Sequence, residues 1–393
     1  MTARRVRVAV VSDMLAEGWP SMDLVADTLM RELSGQRSSP IEPRLVRPRF
    51  VPVLGRVRRG PSTHLTADRV FNRFWIYPWT MRRALAGCDV FHIVDHSYAH
   101  LALSLPRQRV ITTCHDIDTF RGFHAPGRIG TGLPRFLVNR LAEGLRASAL
   151  VVCPSQSTAE EIIDAGLATP ERVVVVPNGV DPHVADAASD REAARLLHSN
   201  APTIDLLHVG STIDRKRVDL LLKAVARMAV DVPAIRLIRV GGPFTANQAQ
   251  QVTDLALAKR ILVLPFLDRT TLYAVYRRAA LLLVTSDREG FGLPIVEALS
   301  AGLPVIARDL PVFREVAGDC ATFVQSTDPA EWAKAIGELL ADARSNPASW
   351  EARREAGRRR AARFSWMRYA EEMASLYVKT ASAAADGDGV SRQ

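Results

Sequence analysis

Short apolar segments alternate with helical patterns along most of this chain, and the alternation occurs twice. The first series of apolar segments is VRVAVVS, DVFHIVD, RVITTCHD, ALVVCPS and RVVVVPNG, and the second is IDLLHVGS, AIRLIRVGG, RILVLPF, ALLLVTS, LPVIARD and CATFVQ. Continuous apolar strands separated by helices are typical of a parallel sheet that is covered on both faces. The sequence therefore predicts an α/β protein with two doubly wound, Rossmann-like domains, residues 1–183 and 184–365, and a ligand cleft between them.

Length and composition agree with this prediction, because 393 residues exceed one ordinary core and 48% of them are hydrophobic. No run approaches the ~20 apolar residues that a membrane-spanning helix needs. The start of the chain resembles a signal peptide only in part, since Arg7 and Asp13 interrupt a short apolar run. Four widely spaced cysteines without a CxxC pattern predict reduced thiols and no zinc site. We expect a cytoplasmic protein, with a disordered tail over residues 380–393, which have little to bury.

A basic and aromatic segment lies between residues 44 and 83. It holds ten arginines, a single acid (Asp68) and the aromatic run FNRFWIYPWT. Arginines beside aromatic residues suit an anionic membrane surface, an anionic acceptor or nucleic acid. A solvated basic face with an aromatic anchor in the core is an equal alternative. The sequence contains no nucleic-acid-binding module, so we expect no nucleic-acid partner and instead expect peripheral contact with an anionic membrane, at the inner face of the plasma membrane.

The segment DREGFGLPIVEALSAGLPVIARD places Glu289 and Glu297 on either side of a glycine-containing turn. Pro294 suits the first turn of a helix and Gly302 suits its C-terminal end, so the GFG tripeptide lies just before a helix N-terminus. Backbone N–H groups at such a position favour phosphates or hydroxyls. A carboxylate accepts paired hydrogen bonds from vicinal hydroxyls, so one glutamate can hold a hexose and the other a ribose. A helix cap followed by a solvated glutamate is the alternative.

The order of the segments HVGSTIDRKRVDLLLKA, RLIRVGGP and ILVLPFLDRTTLYAVYRRAALLLVTSDREGFGLP resembles the retaining glycosyltransferases of family 4, which have the GT-B fold. The resemblance extends over nearly the whole chain. It implies that Arg215 and Lys216 neutralise the diphosphate of a nucleotide-sugar donor, that Glu289 contacts the donor sugar and that Glu297 binds the ribose. The other donor-binding positions that it implies are Gly210, Ser211, Gly290, Phe291, Gly292 and Leu293.

In the first domain, His115 and Asp116 match the family's His-Asp dipeptide at the reaction centre. The sequence DID at this point also spells a DxD metal motif, but that motif belongs to a different glycosyltransferase fold, and we expect no metal ion. The candidate acceptor-side residues are His96, in FHIVDHSYAH, and Gly18 and Trp19, in a loop where the family usually has a glycine pair.

The resemblance also implies the reaction, which is transfer of a hexose with retention at the anomeric carbon by front-face displacement. The nucleotide sugar is then a co-substrate and no further cofactor is needed, with GDP-mannose the favoured donor and a UDP-sugar the next. The acceptor is a hydroxyl of a glycan, a glycolipid or a small molecule. A nucleotide-sugar epimerase and a non-catalytic binding protein are the alternatives, although Lys216 and Glu289 favour an enzyme. The segment FSWMRYAEEMASLY resembles a C-terminal helix, at about 366–379, that crosses back onto the first domain.

Overall fold

The computed structural model describes residues 4–35, 39–53, 63–121, 134–180 and 186–390. The chain divides into an N-terminal unit, Met1–Gly179 with Trp366–Gln393, and a C-terminal unit, Val180–Ser365. The division falls at Val180 rather than at the expected 183/184. Val180 is buried in the core of the C-terminal unit, and its N–H donates to the carbonyl of Phe364 at 3.1 Å.

The described part of the N-terminal unit is a parallel six-stranded sheet with the order β2-β1-β3-β4-β5-β6. Its strands are β1 (Val6–Val11), β2 (Ile41–Val46), β3 (Val90–Ile93), β4 (Val110–Thr113), β5 (Leu150–Cys153) and β6 (Val173–Val175). Its α-helices are α1 (Pro20–Gly35), α2 (Thr63–Phe71), α3 (Tyr77–Thr80), α4 (Arg82–Leu85), α5 (Arg135–Ala147), α6 (Gln156–Asp164) and α15 (Trp366–Val390). Tighter helical segments include Leu15–Glu17 and His96–Ser104, and a π-helical stretch, Asn72–Ile76, joins α2 to α3.

The C-terminal unit contains a second parallel six-stranded sheet, with the order β12-β11-β10-β7-β8-β9. Its strands are β7 (Ile204–Val209), β8 (Ile235–Val240), β9 (Ile261–Leu264), β10 (Leu281–Val284), β11 (Val305–Arg308) and β12 (Ala321–Val324). Its α-helices are α7 (Ala187–Leu196), α8 (Val218–Asp231), α9 (Ala246–Asp254), α10 (Arg269–Arg278), α11 (Leu293–Ser300), α12 (Pro311–Ala317), α13 (Pro329–Ser345) and α14 (Pro347–Ala361). Two parallel sheets flanked by helices confirm the fold class that the alternating segments predict.

Each sheet has one point where the strand order reverses. In the N-terminal unit it lies between β1 and β3, and in the C-terminal unit it lies between β7 and β10. The connections that leave these neighbouring strands run in opposite directions, which opens a crevice at their carboxyl ends, and ligands of doubly wound sheets bind there. The fold therefore selects the loops after β1, β3, β7 and β10 as the candidate binding loops.

Successive residues of the C-terminal strands enter cores on opposite faces of the sheet. Leu207 and Ile238 belong to one apolar cluster, while Leu206 and Leu237 belong to the other. Burying such a side chain fully contributes about 2 kcal/mol relative to leaving it exposed. Covered faces on both sides explain why these strands are continuous apolar runs. Among the described helices, none combines the length and the apolar composition that crossing a bilayer requires.

Helix α15 packs within the N-terminal unit and extends beyond its expected end at 379. It runs to Val390, and the predicted disordered tail over residues 380–393 is therefore wrong as far as that residue. Ala384, on this extension, is 2% exposed, and its neighbours 381, 383 and 385 are also alanine, the residue with the highest helix propensity. The hydroxyl of Tyr377 lies 2.7 Å from Nδ1 of His92 on β3, both side chains being buried.

Helix α5 packs closely on the segment His96–Ser104, and Gly144 permits the contact. A Cβ atom at Gly144 would lie 2.0 Å from the carbonyl oxygen of Ala99, a distance that backbone atoms cannot tolerate. Gly337, inside α13, is a matched helical glycine whose Cβ would make ordinary contacts with the flexible end of Met228, at 3.8 Å from Cε and 4.0 Å from Sδ.

We predict that Gly144→Ala lowers the free energy of unfolding of its unit by more than about 2 kcal/mol, because α5 must move away from Ala99. The control Gly337→Ala should change stability by less than about 1 kcal/mol or raise it, because alanine favours the helix. Calorimetric unfolding of the two variants measures both changes. Equal changes would contradict the packing described for α5.

Candidate functional site

The carboxylate of Glu289 joins the loops that follow β7 and β10. Its Oε2 accepts a hydrogen bond from Nη1 of Arg215 at 2.8 Å, and its Oε1 accepts one from Nζ of Lys216. The hydroxyl of Ser286 also donates to Oε1, at 2.9 Å. Arg215 and Lys216 lie in the short helical segment Asp214–Lys216. Arg215 and Lys216 lie more than seventy residues from Glu289 in the sequence. The structure thus brings together three residues that the family resemblance assigned to donor binding.

Contacts that do not involve Glu289 also hold the same two loops together. The N–H of Asp287 donates to the carbonyl of Arg215 at 2.8 Å, and the hydroxyl of Thr285 donates to the carbonyl of Lys216 at 2.9 Å. Arg217 has a left-handed backbone, with φ 49°, and its guanidinium forms an ion pair with Asp287 at 3.0 Å. The positions of Arg215 and Lys216 are therefore set by the fold as well as by their bonds to Glu289.

Electrostatics keep Glu289 ionised and leave the cluster with a net positive charge. Burial alone would raise the pKa of Glu289, but the nearby charges of Lys216 and Arg215 bring it down to about 2. The side chains of Arg215, Lys216 and Glu289 are only 18%, 13% and 10% exposed. Two cations beside one carboxylate in a poorly hydrated crevice favour an anionic ligand, and a diphosphate group has the appropriate charge.

Glycine turns bring the backbone close to this cluster. Gly210, at the end of β7, has φ 153°, and a Cβ atom there would lie 3.6 Å from Cε of Lys216. Gly241, at the end of β8, has φ 131°, and a Cβ atom there would lie 2.1 Å from the carbonyl oxygen of Gly210. Only glycine fits at Gly241 for that reason. Ser211 follows Gly210 in the same turn and is half-buried.

The turn before α11 forms as the sequence predicts. Gly292 is the N-cap residue, with φ 96°, and Pro294 lies in the first turn of the helix, which begins at Leu293. Gly290 and Phe291 are buried, and the ring of Phe291 packs edge-on against Phe364 with centroids 5.6 Å apart. Gly302 has φ 70° and ends the helix by donating its N–H to the carbonyl of Leu299 at 2.9 Å.

Glu297 lies on α11 and is hydrogen-bonded to a neighbouring helix. Its Oε2 accepts from the hydroxyl of Tyr276, on α10, at 2.9 Å. Burial raises the pKa of Glu297, although the bond from Tyr276 and the charge of Arg269 oppose the shift. Tyr276 was not among the residues selected from the sequence. It fixes the rotamer of Glu297, the residue that the family resemblance assigns to ribose.

Two further polar residues, His208 and Arg239, lie at the carboxyl ends of β7 and β8 and were missed by the sequence analysis. They occupy paired positions in the sheet and are 2% and 0% exposed. Burial, together with the charges of Arg239 and Lys216, lowers the pKa of His208 to about 3, so its imidazole is neutral. The sequence does contain a signal for them. Alternate residues of a strand share a face, and on this face the apolar Leu206 and Leu237 are followed by a histidine and an arginine.

In the N-terminal unit, Glu17 in the loop after β1 forms a buried ion pair with Arg73 of the stretch Asn72–Ile76. Nη2 of Arg73 donates to Glu17 at 2.6 Å, and the hydroxyl of Tyr98 donates to the same carboxylate at 2.9 Å. The guanidinium of Arg73 lies 5.0 Å from the ring centroid of Trp19, and Gly18 turns the chain with φ 70°. The side chain of Arg73 is only 8% exposed, so this arginine is part of the core and not of a solvated basic face.

His96 and His115 follow β3 and β4, and both are buried. Nδ1 of His96 lies 3.3 Å from Asp95, and Nε2 of His115 lies 2.8 Å from the carbonyl oxygen of Val94. A carbonyl can only accept, so Nε2 of His115 carries the proton, and in the neutral ring Nδ1 is an acceptor. Burial lowers the pKa of His115 although Asp95 opposes the shift, which favours the neutral ring at pH 7.

Asp116 takes part in a local turn, because its Oδ1 accepts the backbone N–H of Asp118 at 3.0 Å. Within the described ranges, histidine, cysteine, aspartate and glutamate side chains form no group of three or more suited to a metal ion. The residues predicted from the sequence therefore fall into two sets. Gly18, Trp19, His96, His115 and Asp116 belong to the N-terminal unit, and the donor-binding residues belong to the C-terminal unit.

Comparison with protein families identifies the two halves of the chain separately. The model of the glycosyl transferases group 1 matches residues 191–360, and the model of glycosyltransferase family 4 matches residues 23–184. The chain belongs to glycosyltransferase family 4. The resemblance carried by the sequence motifs is therefore confirmed.

Curated relatives of this family-4 chain carry one recurring name. The D-inositol 3-phosphate glycosyltransferase of Geodermatophilus obscurus is 33% identical over 243 residues, which cover 59% of this chain and 52% of the relative. D-inositol 3-phosphate glycosyltransferase 1 of Catenulispora acidiphila is 29% identical over 313 residues, which cover 76% of this chain and 73% of the relative. The chain spans about half the length of the relatives that it matches at more than 30% identity.

Solved structures share the fold of this chain at low sequence identity. Sucrose-phosphate synthase from Thermosynechococcus elongatus has a TM-score of 0.73 and 20% identity, with 96% of this chain and 100% of that chain covered. HepE from Anabaena, in complex with UDP and glucose, has a TM-score of 0.72 and 17% identity, with 95% and 99% covered. These likenesses, together with the two parallel sheets, establish the GT-B fold.

Proposed function

We propose that this protein is a metal-independent glycosyltransferase that moves a hexose from a nucleoside diphosphate sugar to an acceptor hydroxyl. The observation that supports the proposal most strongly is the bonding of Glu289 to Arg215 and Lys216. This cluster lies at the strand-order reversal between β7 and β10, where the fold predicts a ligand. It combines positive charge for a diphosphate with a carboxylate for sugar hydroxyls.

Each donor residue has a distinct task in this proposal. Lys216 and Arg215 bind the diphosphate, and the turn at Gly210 and Ser211 lets its oxygens approach the backbone. Glu289 orients the hexose, and Glu297 accepts hydrogen bonds from the ribose hydroxyls. As the glycosidic bond breaks, negative charge grows on the leaving diphosphate, and the two fixed cations stabilise that charge without reorganising.

The proposed chemistry is a front-face displacement with retention. The bond between the anomeric carbon and the diphosphate oxygen breaks, and the acceptor oxygen bonds to the same face of that carbon. The acceptor proton passes to the departing diphosphate oxygen, so atoms and charge balance without a covalent enzyme intermediate. In the N-terminal unit, neutral His115 keeps Nδ1 as a hydrogen-bond acceptor, which suits a sugar hydroxyl.

The relatives support particular candidates for the acceptor, and the structural neighbours support particular candidates for the donor. The name of the curated relatives supports a small polyol or its phosphate as the acceptor, with glycans and glycolipids as the other candidates. Structural neighbours in complex with UDP or UDP-glucose support a UDP-sugar donor. GDP-mannose, which the sequence favours, is the second donor candidate. Titration with UDP-glucose, UDP-N-acetylglucosamine and GDP-mannose discriminates among them.

We predict that Glu289→Ala leaves the protein folded but lowers the rate of transfer by roughly 100-fold, because the donor sugar loses a charged hydrogen-bond partner. Glu338→Ala, an exposed position on α13, is the matched control and should leave the rate unchanged. Release of nucleoside diphosphate from the donor that binds, with myo-inositol or D-inositol 3-phosphate as acceptor, measures the rate. A folded variant with a rate within about threefold of wild type would refute the role of Glu289.

We predict that transfer does not depend on a divalent metal ion. Arg215 and Lys216 already place positive charge where the leaving group forms, and one oxygen of Asp116 is bonded within a turn. Treatment with EDTA should leave turnover unchanged. Loss of turnover that Mg²⁺ or Mn²⁺ restores would show instead that the DID sequence binds a metal.

The membrane contact is a separate part of the proposal and is supported by exposed aromatic residues. Trp75 and Trp79 are 51% and 75% exposed, and Arg82 and Arg83 nearby are also exposed. Indole rings at headgroup depth beside arginines suit an anionic membrane surface. Arg56, Arg58 and Arg59, which the sequence analysis included in this surface, lie outside the described residues.

We predict that the protein sediments with vesicles of anionic phosphatidylglycerol and not with neutral phosphatidylcholine, and that salt weakens the binding. Trp75→Ser with Trp79→Ser should abolish the binding, whereas the control Phe136→Ser, at an exposed position on α5, should not. Equal binding to both kinds of vesicle, or no binding at low salt, would favour a soluble acceptor.

A further inference from the structure

Three basic side chains surround Gly210 at the end of β7. A Cβ atom at Gly210 would lie 3.6 Å from Cε of Lys216 and 3.7 Å from Cε1 of His208. From the next strand, Nη2 of Arg239 donates to the carbonyl oxygen of Gly210 at 3.0 Å, and its Nη1 donates to the carbonyl oxygen of Gly242. The guanidinium therefore connects the turns that follow β7 and β8.

Burying Arg239 at this position is energetically unfavourable. Its side chain is fully buried, and burial lowers its pKa to about 10, so it remains charged at neutral pH. Within the described part of the chain, its hydrogen bonds run to carbonyl oxygens and not to a carboxylate, and its Nε has no partner. The paired residue His208 is a neutral base and offers no negative charge. A buried charge without an opposite charge is energetically costly, and its presence here therefore points to a function.

The bond to Gly210 also orients the next peptide N–H. In a trans peptide unit the C=O and the N–H point in opposite directions, and the structure contains no cis peptide bond. Because the carbonyl of Gly210 points at Arg239, the N–H of Ser211 points away from it. Ser211 is thereby held as a hydrogen-bond donor in the turn beside Lys216.

We propose that Arg239 is a positioning residue for the donor diphosphate, which it serves by fixing the Gly210–Ser211 peptide so that the Ser211 N–H faces a phosphate oxygen. Its buried charge adds to the field of Lys216 and Arg215, and the diphosphate supplies the missing negative charge on binding. The proposal rests on the donor site described under the proposed function. It assigns to β8 a part in phosphate binding that the motif residues alone do not supply.

The test compares dissociation constants for UDP, UMP and uridine, and for GDP, GMP and guanosine, measured by calorimetric titration. Arg239→Met removes the charge and the two bonds but retains the volume. We expect it to weaken diphosphate binding by about tenfold or more, while nucleoside binding stays within about twofold. Arg236→Met, on the same strand but paired with Asp205 at 2.7 Å, is the matched control and should not change diphosphate binding.

Two further variants separate the possible failures. If Arg239→Met does not fold, Arg239→Lys is the test, because it keeps the charge but lacks the forked donor, and it should weaken diphosphate binding more than nucleoside binding. Equal losses for diphosphate and nucleoside, or no loss, would overturn the role of Arg239. If Lys216→Ala also leaves diphosphate binding unchanged, or wild type binds neither diphosphate, the donor site itself is wrong.

Discussion

The candidate site depends on one carboxylate. Glu289 receives hydrogen bonds from Arg215, Lys216 and Ser286, and it thereby ties the loop after β7 to the loop after β10. Without it, two cations would lie side by side in a crevice with little water to screen them. With it, the crevice keeps one excess positive charge and a fixed acceptor for hydroxyl groups. The positive charge suits the diphosphate of a nucleotide sugar, and the acceptor suits the hydroxyl groups of its hexose.

The crevices at the two strand-order reversals carry different charges, and this difference suggests that they bind different chemical groups. After β7 and β10, Arg215 and Lys216 outnumber the ionised Glu289, and Arg239 on the adjacent β8 adds a buried positive charge. After β1 and β3, the buried Arg73 is already paired with Glu17, and Oδ2 of the buried Asp13 has no partner. Burial and the neighbouring Asp95 raise the pKa of Asp13. The described part of the first crevice is therefore suited to hydroxyl groups, whereas the second is suited to phosphates.

Much of the fold and of the candidate site follows from the sequence. Apolar runs predict the parallel strands because a strand covered on both faces is apolar at most successive positions. Pro294 and Gly302 mark both ends of α11 because their backbone preferences are local. Arg239 was missed because its role depends on a carbonyl in another strand, at Gly210. Arg73 was misassigned to the surface for the same reason, since its partner Glu17 lies 56 residues away. Residues 380–390 were misassigned as disordered because composition alone does not show that Ala384 is buried.

The most direct test of the account is a crystal structure of the protein with UDP or GDP bound. Diphosphate oxygens are expected within hydrogen-bond distance of Nζ of Lys216 and of the N–H of Ser211, and ribose hydroxyls are expected at the carboxylate of Glu297. Glu289 is expected to stay free of phosphate and available to a sugar. A diphosphate bound at another place in the C-terminal unit, with the bonds from Arg215 and Lys216 to Glu289 undisturbed, would contradict the account.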